Sequence, residues 1–162
     1  MSKRTGGKAA TNRGAQNHDI TPAGIAAGTI VLTLHGALPV EYLTPGDRVV
    51  TRDGTRVLRG LHVRVARDEP AIRIAASALG HDRPEAEMVV SPEQEILIRD
   101  WRAKALYGVE TAMVPARRLV DGQYVRRETP EELRLFTLEF DSPAVIYAGD
   151  LQLACDRVAA EV

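Results

Sequence analysis

Residues Pro39 to Val49 read PVEYLTPGDRV, and residues Pro115 to Val125 read PARRLVDGQYV. The two stretches align without a gap. Proline, leucine, glycine and valine coincide at Pro39/Pro115, Leu43/Leu119, Gly46/Gly122 and Val49/Val125. Each stretch reads as a proline-started turn or short helix, an apolar anchor, a tight glycine turn and then a strand. Proline pre-sets φ at the start, and glycine supplies the positive φ of the turn. In Thr44-Pro45-Gly46-Asp47 that turn is type II if Gly46 takes positive φ. Four common residues can coincide by chance. The alternative is a duplicated β unit with pseudo-twofold symmetry.

Working outward, short apolar runs are separated by turn signals. Thr29–Leu34 (TIVLTL) is β-branched and strand-like. Arg48–Arg52 ends at Asp53-Gly54, a hairpin signal. Val57–Val65 alternates apolar and polar, with Gly60 expected as a bulge. Ala71–Ala75, Met88–Ser91, Ile96–Arg99, Gly122–Arg126, Leu133–Phe140 and Ala144–Ala148 read as further strands. Pro115–Val120 suits one short helix, and Trp101–Gly108 fits either helix or loop. No interleaved helical patterns of 10–15 residues occur, so the expected class is all-β and not βαβ.

The chain has 162 residues, 44% hydrophobic and 27% charged, with net charge −1. That is the texture of one globular domain. A chain-wide nucleic-acid footprint needs a strongly basic balance, which is absent. Aromatics are 4%, too few to stack bases or sugars along a groove. No apolar run is long enough for a membrane-spanning helix. Residues 1–20 hold Lys3, Arg4, Lys8 and Arg13 against Asp19, with no apolar periodicity. They read as a flexible basic leader, residues 21–153 as the domain, and 154–162 as a C-terminal tail. A single cysteine, Cys155, excludes an internal disulfide and a Cys-rich metal site. The default setting is cytoplasmic.

At this point the residues resemble a known family. Ala26-Ala27-Gly28-Thr29, Leu38-Pro39-Val40-Glu41 and Leu43 to Val49 are similar to the opening of a Hint domain, the hedgehog/intein module, in its bacterial form. Val90-Ser91-Pro92, Ile96-Leu97, Val114-Pro115-Ala116 and Leu119 to Gly122 resemble its middle. Leu138 to Asp141 with Val145 to Ala148 resemble its closing strands. The resemblance implies an all-β, horseshoe-like fold of two pseudo-twofold subdomains. It also implies self-processing of a peptide bond. A Cys, Ser or Thr at the first residue attacks the preceding carbonyl. A His in a Thr-x-x-His element protonates the departing nitrogen, and aimed donors hold the oxyanion.

Carried onto this chain, the nucleophile position is Gly24, which has no side chain. Thr-x-x-His falls on Ser91-Pro92-Glu93-Gln94, and an Asp-x-His pattern falls on Asp141-Ser142-Pro143. Gln94 does not exchange a proton at neutral pH, and Pro143 has no imidazole. The His-Asn pair that cyclises in inteins is missing from the chain end. Gly24, Ser91, Gln94 and Asp141 are therefore the expected site, with its chemistry eroded. The resulting expectation is a degenerate module acting in binding or structure, with an unidentified protein partner and no cofactor or metal.

The alternative is an active enzyme with a substitute nucleophile: Thr21, Thr29 or Cys155. Thr21 also reads as a turn residue before Pro22, Thr29 as a strand residue, and Cys155 as a packed or tail cysteine beyond the last matched strand. His18, His35, His62 and His81 show no ligand spacing. Glu93 and Glu95 are more simply a solvated strand edge than an acid–base pair. Trp101 fits a core or cover residue better than a ligand platform.

Overall fold

The protein is described from a computed structural model, covering residues 23–160. The leader of residues 1–20, with His18, lies outside the described residues, as does Thr21. The N-terminal part runs β1 (Ile25–Ala26), β2 (Ile30–Thr33), β3 (Gly36–Pro39), β4 (Arg48–Thr51), β5 (Gly54–Val57) and β6 (Gly60–Arg67). The middle holds β7 (Ala71–Ile74), β8 (Met88–Val90), β9 (Glu95–Ile98), helix α1 (Trp101–Tyr107), β10 (Ala112–Pro115) and β11 (Val125–Glu128). The chain closes with β12 (Glu132–Phe140), β13 (Ala144–Ala148), β14 (Leu151–Cys155) and β15 (Arg157–Val158). The fold is all-β, as the strand spacing predicts.

The strands form two sheets. A seven-stranded sheet runs β11-β7-β8-β1-β12-β15, with β6 also on β12. An eight-stranded sheet runs β10-β9-β14-β13-β2-β4-β5, with β3 also on β2. One apolar core joins them, and Phe140, Leu58, Ile72, Ile74, Ile96 and Ile146 are fully enclosed in it. Burying each such side chain contributes roughly 1.5–3 kcal/mol.

The duplicated motif is real in three dimensions. After Pro39 the chain makes a 3₁₀ turn over Val40–Tyr42, and after Pro115 another over Ala116–Leu119. The two prolines share nearly the same backbone angles (φ −58°, ψ 142° and φ −60°, ψ 140°). Leu43 and Leu119 are buried, as are Val49 and Val125. Gly46 and Gly122 have φ of +101° and +82°, a region a Cβ would strain. The amide of Asp47 bonds the carbonyl of Thr44, closing the expected turn.

The correspondence extends to the preceding hairpins. The Val40 amide donates to Thr29 O (2.8 Å), and the Ala116 amide to Gln94 O (2.9 Å). The Thr29 amide donates to Ala26 O (3.2 Å), and the Gln94 amide to Ser91 O (3.1 Å). Thr29 and Gln94 thus occupy equivalent corners. The halves meet where β1 pairs β8, at Ile25 opposite Val90.

Some expectations need correction. Gly60 begins β6 and is not a bulge, because the strand breaks at Leu58, which turns inward with 1% exposure. The Leu58 amide bonds Asp47 O (2.8 Å) and anchors that break. The strand expected from Gly122 starts at Val125, after a turn held by Asp121. Residues 154–158 are not a tail: Ala154 and Cys155 pair with β13, and Arg157–Val158 adds a parallel strand to β12. Trp101–Tyr107 is a helix, capped by the Asp100 carboxylate on the Arg102 amide (2.9 Å) and ended by left-handed Gly108.

Candidate functional site

The start of β1, the corner before β9, the inner face of β12 and the end of β14 surround a cleft of about 320 Å³. Ala23, Gln94, Thr137 and Cys155 line it, over an apolar floor that includes Phe136 and Leu153. Gly24 sits beside it. The Gly24 carbonyl accepts the Ser91 amide (2.9 Å). A Cβ at Gly24 would stand 3.2 Å from Leu135 Cβ and 3.6 Å from Thr137 Oγ1. The position is snug even without a side chain.

Gln94 is 4% exposed. Its amide nitrogen donates to Ala154 O (2.8 Å) and to Glu95 O (3.1 Å). Both amide hydrogens are thereby used on backbone. Ser91 is fully buried, and its Oγ has no hydrogen-bond partner among the described residues. Leaving such a hydroxyl unpaired costs about 1–3 kcal/mol.

Gly24, Ser91 and Gln94 are therefore brought together by main-chain bonds. Asp141 is not with them. It lies just past β12, is exposed, and pairs with Arg59. Pro143 is likewise exposed. Of the substitute nucleophiles, Thr29 is remote: it lines a different cavity, and its hydroxyl donates to Ala26 O (2.7 Å). Cys155 lies in the cleft and not at the chain's far margin, because β14 continues to it. Burial, followed by the nearby Asp156 carboxylate, pushes its thiol up to about 12. A thiol so placed stays protonated at neutral pH.

One polar side chain of the cleft had no sequence signal. The Thr137 hydroxyl donates to the Ala23 carbonyl oxygen at 2.8 Å. That carbonyl precedes the nucleophile position. Thr137 thus has the geometry of an oxyanion donor, aimed at the atom where charge would develop. Glu95, beside Gln94, has its carboxyl raised by burial, then by Asp156 and Glu93. Among the described residues, no cluster of His, Cys, Asp or Glu is arranged to hold a metal ion.

The model of the Hint domain matches residues 23–154. The chain belongs to the Hint-domain family. The match starts one residue before Gly24, the position assigned to the nucleophile. Solved structures agree on the fold of this Hint domain. A bacterial intein-like domain from Clostridium thermocellum is 14% identical, with TM-score 0.61, covering 85% of this chain and 100% of that one. The TvoVMA intein is 9% identical (TM-score 0.57; 82% and 96% covered). A DnaB intein from Synechocystis is 9% identical (TM-score 0.53; 83% and 99% covered). No curated protein matches. No helix in the described residues of the Hint domain is long and apolar enough to cross a membrane.

Proposed function

We propose that this Hint domain does not cut its own chain and serves as a binding or structural module. The single observation that carries this reading is the pair of substitutions in one cleft. Gly24 offers no nucleophile, and Gln94 spends its amide on the Ala154 and Glu95 carbonyls. Thr137 remains aimed at the Ala23 carbonyl, but an oxyanion donor without an attacking group accelerates nothing. A cytoplasmic setting belongs to the same reading, supported by the lone buried cysteine. Intact mass spectrometry of the freshly expressed full chain tests it. The expected result is a stable species at the full 17.7 kDa. Loss of residues 1–23 would overturn the proposal.

A second reading has one observation behind it: Cys155 shares the cleft with Ala23. In that reading the Cys155 thiol adds to the Ala23 carbonyl carbon, the Ala23–Gly24 C–N bond breaks to leave a thioester, and the thiol proton leaves on the Gly24 amine. It predicts a hydroxylamine-sensitive species that disappears in Cys155→Ala. The raised thiol argues against it. If hydroxylamine leaves the wild-type mass unchanged, as it leaves that of Cys155→Ala, this second reading is excluded.

A further inference from the structure

Thr29 and Gln94, at equivalent corners of the two halves, line different cavities. Gln94 lines the cleft described above, and Thr29 lines a second cavity of about 370 Å³. The two share no lining residue. The second cavity is within the size range of small-ligand sites, roughly 300–1,000 Å³.

Its floor is apolar and open to solvent. Ile30 and Leu32 point outward from β2, 42% and 41% exposed, beside Met88 and Tyr147. Its rim carries both signs of charge. Arg83, Arg99, Glu85 and Asp150 all line it. None of the four forms an ion pair among the described residues. Glu87, on the same rim, is by contrast committed to Arg73 (2.9 Å). A further group is unmatched at depth. Gln152 lines the cavity, and its Oε1 is buried without a hydrogen-bond partner among the described residues. A buried acceptor of this kind calls for an N–H donor.

These features define a ligand. Two unpaired guanidinium groups suit a carboxylate. Two unpaired carboxylates with an orphan amide oxygen suit an ammonium or amide N–H. The apolar floor suits aliphatic side chains. We propose that this second cavity binds a short zwitterionic peptide with apolar side chains. Its carboxylate lies against Arg83 and Arg99, and its amino end against Glu85, Asp150 and Gln152. The site is separate from the cleft at Gly24, so it stands whether or not the chain cleaves itself.

Titration calorimetry on the full chain tests this with leucyl-leucine, N-acetyl-leucyl-leucine and leucyl-leucinamide. Leucyl-leucine binds one to one, and each capped probe binds about tenfold more weakly or worse. An Arg83→Gln/Arg99→Gln variant weakens leucyl-leucine about tenfold and leaves leucyl-leucinamide unchanged. Gln152→Leu weakens all three probes. Thermal melts check that both variants fold; where one does not, the capped-probe series on wild type decides alone. No saturable binding of leucyl-leucine, or equal affinity for capped and uncapped probes, overturns the proposal. So does inorganic phosphate displacing leucyl-leucine without competition from leucyl-leucinamide, since that would mark an anion site only.

Discussion

At the scale of single residues, Ser91 and Cys155 make opposite predictions. The Ser91 hydroxyl is enclosed and unpaired. Removing it relieves a desolvation penalty. Ser91→Ala is expected to be neutral or to raise stability by up to about 1 kcal/mol in urea unfolding. A loss greater than that would mean the hydroxyl has a partner. Cys155 is 8% exposed with a raised thiol. It is expected to react with a thiol reagent at pH 8 at least ~100-fold more slowly in the native protein than in the urea-unfolded chain. Fast native labelling would revive the case for a substitute nucleophile. Part of the proposed site was legible in the chain: the proposal that its chemistry is missing rests on the residue types of Gly24 and Gln94 alone. Thr137 was not legible. Its contact with Ala23 spans 114 residues, and the Gln94–Ala154 bond spans 60. A lone Thr on an alternating strand carries no mark of what it will face. Asp141 misled for the related reason that a motif match assigns a position, and not a direction for the side chain.

At the scale of elements, the duplicated turns were readable because each shared residue answers a backbone demand. Proline sets the entry angle, leucine the anchor, glycine the positive φ. The second copy has an extra device. Asp121 Oδ1 accepts from the amides of Gln123 (2.8 Å), Tyr124 (2.8 Å) and Val125 (3.0 Å). Burial raises this carboxyl, but the three amides outweigh burial and leave it below its ordinary value. Asp121→Ala is expected to cost about 1–2 kcal/mol at pH 7. A carboxyl lowered on folding adds stability above its ordinary value and loses it as pH falls. The gap between wild type and variant therefore closes on acidification below about pH 4. A gap independent of pH in urea titrations would show that charge is not the cause.

Glu95 behaves in the opposite sense. Its carboxyl is raised by burial, then by Asp156 and Glu93. Ionising it therefore weighs against the fold as pH rises. Glu95→Gln is expected to raise Tm at pH 7 and to make no difference near pH 4. A lower Tm at pH 7 would contradict this. Helix α1 was ambiguous because seven residues give barely two turns of periodicity. Its cap residues, Asp100 and Gly108, were the better signal.

At the scale of the whole molecule, the two halves do not stand side by side as separate modules. The first sheet crosses from one to the other at β1 and β8, and the second at β9, β14, β13 and β2. Long strand β12 binds β6 over eight residue pairs and β1 over two. Unfolding either half strips partners from the other. A single calorimetric transition is expected, with calorimetric and van't Hoff enthalpies equal. Two resolved transitions would show that the duplicated units fold independently. The pairing pattern itself was beyond the sequence, because alternation shows that a strand has two faces and not which strand it meets.

The corners at Thr29 and Gln94 are closed by main-chain atoms: one amide to a carbonyl three residues back, one carbonyl to the amide after a proline. Almost any amino acid can supply those two groups. In the family, one of these corners carries the imidazole that moves the proton. Random drift can erase that imidazole and leave the corner standing. Loss of the reaction and loss of the architecture are thus uncoupled from the outset. A lineage built on this corner is free to accumulate silent members that keep the frame and acquire other work.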